Sequence, residues 1–118
     1  MSAPLMLNLI EGSVSFSFTP QAARDLKTAI NELMQRLKAT AAQTSPGGTG
    51  GKPSPQKSME YQYTGDVFLE IFCNPNIWAT PFAAKVLVTL RDDRIRLTTE
   101  AELTRVIEDV NDYLERVG

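Results

Sequence analysis

The chain has 118 residues, 42% hydrophobic and 22% charged, with a net charge of −2. That length allows one core without covalent staples, because a domain of this size buries roughly two-thirds of its unfolded surface. There is no histidine and a single cysteine, Cys73, which removes the usual general base near neutral pH, the commonest metal ligand and any intrachain disulfide.

Residues 5–10 form a short apolar run and are expected to be a strand covered on both faces. No positive charge precedes the run, and Glu11-Gly12 stops it, so it does not have the form of a signal peptide. Glu11-Gly12 is instead a candidate tight turn. In Ser13–Phe18, Val14, Phe16 and Phe18 alternate with three serines. That is the pattern of a half-buried strand. Thr19-Pro20 then opens a helix, with threonine as N-cap and proline at the first helical position. Ala23, Leu26, Ile30, Leu33, Met34 and Leu37 recur along it at helical spacing, which predicts an amphipathic helix of about five turns lying on a sheet.

Residues 40–57 carry no large apolar side chain and are rich in Gly, Pro, Ser and Thr. They are expected to be a disordered internal loop of a single domain spanning 1–118. Gly51-Lys52 is followed by Pro53, which breaks any phosphate-loop reading. Met59, Tyr61 and Tyr63 alternate with polar neighbours, and Val67, Leu69 and Ile71 alternate with Phe68, Glu70 and Phe72. Gly65 between them makes either a hairpin turn or a bulge, and one long bent strand is the expectation. Asn74-Pro75-Asn76 is a turn signal.

Residues 77–84 are an apolar, aromatic connection interrupted by Pro81. Val86–Leu90 reads as a strand, Arg91-Asp92-Asp93-Arg94 as a hairpin loop, and Ile95 and Leu97 as part of the next strand. Thr99–Glu102 spells a capping box ahead of the stripe Leu103, Val106, Ile107, Val110, Tyr113, Leu114 and Val117, so a second long helix is expected to start there. A shift of 80 residues superposes this half on the first, with Thr19 on Thr99, Leu26 on Val106 and Ile30 on Val110.

The expected fold is therefore α+β: a mainly antiparallel sheet of about five strands with two long amphipathic helices, in the order ββα-β(β)-ββα. This order resembles a longin- or profilin-like layout. The likeness is one of element order, and fold alone does not imply function.

Nothing in the sequence spells a catalytic, cofactor or metal motif. Cys73 has no histidine to activate it and reads as a small buried hydrophobe. The Glu108-Asp109 carboxylates point to different sides of a helix and read as part of a solvated acidic face. The expectation is a non-enzymatic, cytoplasmic interaction module, such as an adaptor or accessory subunit, that needs no cofactor and works by binding another protein. A second copy of the chain is admissible as that partner. A nucleic acid is not the expected partner at this net charge, and no stretch reaches the ~18 apolar residues of a membrane span.

The candidate partner-binding residues are Ile77, Trp78 and Phe82, because exposed aromatic side chains on a loop are typical binding anchors, together with Arg91, Arg94 and Arg96 of the basic hairpin. The alternatives are a nucleic-acid module using that hairpin with Lys85 and a small-molecule site between sheet and helices.

Overall fold

The computed structural model describes the backbone of residues 3–43 and 56–117 and the side chains of 3–40 and 56–117. The expected α+β class is observed, with two helices and six antiparallel strands among the described residues. The strands divide into a two-stranded sheet, β1 (Ala3–Leu9) with β2 (Gly12–Phe18), and a four-stranded sheet in the order β3 (Met59–Thr64), β4 (Phe68–Cys73), β5 (Lys85–Arg91) and β6 (Arg96–Glu102). The helices are α1 (Pro20–Gln43) and α2 (Leu103–Val117).

The first strand is not covered on both faces. Leu5 and Leu7 are fully buried, but Met6 between them is 51% exposed. The run is apolar at every position but Asn8, yet only its odd positions face the core. The turn takes Ile10 and Glu11 as its two loop residues, since Leu9 pairs with Gly12. Gly12 sits at φ 145, a conformation in which a Cβ is strained.

Helix α1 starts as the sequence predicts. The Thr19 hydroxyl accepts a hydrogen bond from the Ala22 amide at 3.1 Å, which satisfies one of the unpaired first-turn donors. Ala23, Leu26, Ile30, Leu33 and Leu37 are buried along one stripe. The helix continues to Gln43, past the expected edge of the internal loop, because Ala41-Ala42-Gln43 are good helix formers. At the other edge, Gln56 is fixed by Asn76: the Gln56 amide donates to Asn76 Oδ1 at 2.7 Å, and Asn76 Nδ2 donates to the Gln56 carbonyl at 2.8 Å. Residues 44–55, the centre of the expected disordered loop, lie outside the described residues.

Gly65 turns a hairpin rather than bending one long strand, since β3 and β4 pair antiparallel from Met59↔Cys73 to Thr64↔Phe68. The Tyr63 ring lies over Gly65, so that a Cβ there would collide with the ring's hydroxyl end. The glycine makes room for the tyrosine that covers it.

The capping box at Thr99 is not used. Thr98 to Glu102 stay in β6, paired with β5 from Thr89↔Thr98 to Lys85↔Glu102, and Ala101 is fully buried on the core side. Threonine also suits a pleated strand, and here the ladder bonds win. Helix α2 follows directly at Leu103, whose amide donates to the Ala84 carbonyl at 3.0 Å. A loop carbonyl thus does the work expected of a threonine side chain. Ile95 is also outside the strand, 63% exposed in the turn. The 80-residue echo survives in the stripe, where Leu26, Ile30 and Leu33 match Val106, Val110 and Tyr113, all buried. It fails at the caps.

Both helices pack into one core with the inner sheet face. Tyr61 donates its hydroxyl proton to the Ala22 carbonyl at 3.0 Å, tying β3 to α1. Phe18 meets Tyr63 and Tyr113 edge-on, with ring centroids at 4.8 and 5.9 Å.

The free edge of β1 is served by α2 side chains. Asp109 accepts from the Asn8 amide and from Asn8 Nδ2, both at 2.8 Å, and Arg116 donates to the Pro4 carbonyl at 3.4 Å. Covering a strand edge in this way keeps it from pairing elsewhere. Asp109 is therefore buried structural chemistry, 7% exposed, and not part of a solvated acidic face. Its neighbour Glu108 is solvated and pairs with Arg105 at 3.3 Å.

Candidate functional site

The four-stranded sheet has two very different faces. On the inner face, Leu69, Ile71, Val86, Val88 and Leu90 are all 5% exposed or less. On the outer face the strand register places residues in rows. Phe72 pairs with Leu87, Glu70 with Thr89, and Phe68 with Arg91 across β4 and β5. Glu60, Gln62 and Thr64 flank them on β3, and Glu100, Thr98 and Arg96 on β6. Leu87 is 41% exposed, and Phe68 and Phe72 are half-buried. Both described helices contribute to the core on the opposite side. A phenylalanine pair and a leucine on an otherwise polar sheet face form an apolar patch that single surface hydrophobics would not.

The outer face also carries order among its polar groups. Gln62 Nε2 donates to Glu70 Oε2 at 2.9 Å. The Arg91 guanidinium lies 4.4 Å from the Phe68 ring centroid, a favourable cation–π contact. That contact places Arg91 beside the ring even though Arg91 and Arg96 stand directly opposite each other, an arrangement that repels.

The sequence-predicted residues fall into three places. Ile77 and Phe82 are 66% and 81% exposed. They flank a connection that opens with a 3₁₀ turn, Pro75–Ile77, capped by Asn74, whose side chain accepts from the Asn76 amide at 3.0 Å. Trp78 does not join them on the surface. It packs against the core, and its Nε1 is buried with no conventional partner among the described residues. The group it bears on is the Cys73 thiol, a weak acceptor. Burial pushes that thiol up to about 11, against a smaller opposite effect from the indole. The thiolate needed for nucleophilic or redox work is thus disfavoured at neutral pH.

Arg91 and Arg96 are brought together on the outer face. Arg94 sits in the turn, where Asp92 Oδ1 accepts from the Arg94 and Ile95 amides at 2.8 and 2.9 Å. Those bonds hold the Asp92 carboxyl below its ordinary value. Lys85 lies at the far end of β5 from Arg91 and pairs with Glu102. The basic residues do not form one patch. Two arginines reaching two phosphates would give a salt slope of only about −2, far below that of a dedicated nucleic-acid binder.

Among the described residues no three His, Cys, Asp or Glu side chains cluster as metal ligands, and no helix is long and apolar enough to cross a membrane. The described surface depressions are lined mostly by polar side chains. One of about 330 Å³ lies between Asn8, Glu102, Thr104, Arg105 and Glu108. The space between sheet and helices is filled by buried side chains.

The outer-face residues Phe68, Phe72 and Leu87 were not singled out from sequence. Their signal is nonetheless present: 67–73 is apolar in both alternating registers, interrupted only by Glu70.

No family model, no curated protein and no solved structure matches this chain.

Proposed function

We propose that the protein is a non-enzymatic interaction module that docks another protein surface on the outer face of its four-stranded sheet. The observation that carries this reading is the set Phe68, Phe72 and Leu87, presented on a sheet face that no described element covers. Burying such a patch is favourable at roughly 25 cal/mol per Å², and the rim of Glu60, Glu100, Arg91 and Arg96 supplies charges that orient a partner. Ile77 and Phe82 supply a second, smaller apolar exposure on the β4–β5 connection.

The reading is tested by capturing binding proteins from the native cell with the wild-type chain, with Leu87→Asp, and with the double substitution Ile77→Ser and Phe82→Ser. Captured proteins that disappear with Leu87→Asp support the sheet face. Proteins that persist with Leu87→Asp and vanish with the double substitution assign docking to the connection instead. Retention by all three variants removes both surfaces.

A further inference from the structure

We infer that the outer edge of β2 is a docking edge and that its occupant is β2 of a second copy of this chain, paired antiparallel about a twofold axis through Ser15. This edge belongs to the smaller sheet and is independent of the docking face above. The hydrogen bonds of β1 fix which groups of the hairpin are open. The Asn8 amide donates to Asp109, and the Pro4 carbonyl accepts from Arg116, so the even-numbered residues of β1 turn their backbone groups away from β2. Opposed residues of an antiparallel pair alternate between bonded and non-bonded. Gly12, Val14, Phe16 and Phe18 are therefore the residues bonded to Leu9, Leu7, Leu5 and Ala3. The amides and carbonyls of Ser13, Ser15 and Ser17 point out of the hairpin, and no described strand lies on that side of β2.

The other outer strands are protected. β1 has Pro4 and the covering side chains of α2. β3 carries exposed Glu60, and β6 carries exposed Arg96, Glu100 and Glu102. Charge, proline and covering side chains are the devices that keep an edge from pairing. β2 has none of them among the described residues. Residues 12–23 hold no charge, the strand has no proline, and its register runs unbroken from Ala3↔Phe18 to Leu9↔Gly12. A two-stranded sheet is also marginal by itself, and joining two such edges makes it four-stranded.

Two features point to a second copy rather than a foreign strand. Ser15 is an outward-bonding position, so a twofold can pass through it, and that register sets Ser13 against Ser17 and Val14 against Phe16 of the other copy. About six backbone hydrogen bonds form. Hydroxyls meet hydroxyls on one side, and half-buried Val14 gains an aromatic cross-strand neighbour on the other. The second feature is a charge match. The same register carries the turn of one copy past Phe18 of the other, which brings Glu11 to the start of α1. Glu11 is exposed and is the one charged side chain before Arg24, and the first turn of α1 holds no acid. A carboxylate is favourable at a helix N-terminus. A foreign strand, by contrast, finds no charge on β2 to select its register. A single strand pair is smaller than a standard interface, so the dimer is weak and reversible.

The test is sedimentation equilibrium of the purified full chain across about 1–300 µM, the range in which a weak dimer dissociates. Ser15→Pro removes an outward amide and no bond to β1, and it should weaken the dimer at least about tenfold. Lysine at both Ser13 and Ser17 sets like charges opposite each other across the axis and should weaken it about tenfold at low salt. Ser13→Lys with Ser17→Glu sets opposite charges there and should restore it to the wild-type constant or tighter. Glu11→Gln should weaken it by about threefold, and Leu87→Ser, on the other sheet, should leave it unchanged. Amide spectra of each variant establish that it is folded. A chain that stays monomeric throughout overturns the second copy as occupant. A dimer indifferent to Ser15→Pro and to the two lysines overturns β2 as the edge. A Lys–Glu variant as weak as the Lys–Lys variant overturns the axis through Ser15.

Discussion

The two faces of the four-stranded sheet are built from neighbouring residues of the same strands, yet they have opposite fates. Ile71 is fully buried, while Phe72, the next residue, is only half-buried on the other face. Val88 is fully buried beside Leu87 at 41% exposure. Side-chain hydrophobicity does not distinguish the members of these pairs. What distinguishes them is that α1 and α2 both contribute to the same core. Burial is therefore a property of the topology, and an apolar residue on the other side of the sheet waits for something that the described chain does not supply.

The largest expected effect belongs to the inner face. Ile71→Ala should cost about 3 kcal/mol, combining lost transfer energy with the cavity left in a close-packed core. Denaturant unfolding measures it directly. If Ile71→Ala and Phe72→Ala cost the same, the distinction between the faces is wrong.

Next comes the helix that covers an edge rather than a face. Asp109→Ala removes both acceptors of Asn8 and leaves its two part-buried donors without their partner on α2. A hydrogen bond to a charged group contributes up to about 1.5–3 kcal/mol, and because water reaches this part-buried pair the combined loss should be on the order of 2 kcal/mol. Glu108→Ala, one residue away and pairing only with exposed Arg105, should change stability by less than about 0.5 kcal/mol. Equal effects would mean that Asp109 does not hold β1.

Much of this architecture was legible before any coordinates. The period-two stretches 13–18 and 59–64 are strands, with Phe16, Phe18, Met59 and Tyr61 buried, and the helical stripes bury Ala23, Leu26, Ile30, Leu33 and Leu37 on α1 and Leu103, Val106, Val110 and Tyr113 on α2, while Met34, Ile107, Leu114 and Val117 are only partly covered. Thr19 caps α1 as its sequence says. The failures share a cause, which is competition from distant partners. Thr99–Glu102 has the spelling of a cap, but the same residues fit a ladder with β5, and only the presence of β5 decides between them. Asp109 looks like one acid among many in α2 until Asn8, 101 residues earlier, is placed against it. Trp78 looks like a loop anchor until the connection folds its indole against Cys73 and the core. The site was less legible than the fold. Its residues alternate as strand residues should, and nothing local states which side the helices will take.

The adjacent pair Cys73 and Phe72 sharpens the contrast chemically. Burial raises the Cys73 thiol from 9.0 to about 11. A raised pKa in the folded state means that the neutral form stabilises the fold. That contribution is complete below pH 9 and is lost as pH rises towards 11, a window in which thermal stability should fall by on the order of 2 kcal/mol. Cys73→Ala should flatten that decline, leaving the part due to Tyr61, pushed upward by burial and the nearby Asp25, and to Tyr113, pushed upward by burial. A cysteine introduced by Phe72→Cys, facing outward, should react with a thiol reagent at pH 8 far faster than Cys73 does. Similar rates would show that the two positions share an environment.

The smallest expected change in stability is at Leu87, and its smallness is what makes it informative. Leu87 already keeps 41% of its surface in water, so Leu87→Ser gives up only part of the roughly 1.5–3 kcal/mol that full burial of a leucine supplies. It also leaves a hydroxyl free to bond with solvent. The unfolding free energy should move by about 0.5 kcal/mol or less. A loss of about 2 kcal/mol would instead place Leu87 in the core, and the distinction between a covered and an uncovered face would fail at the residue on which it most depends.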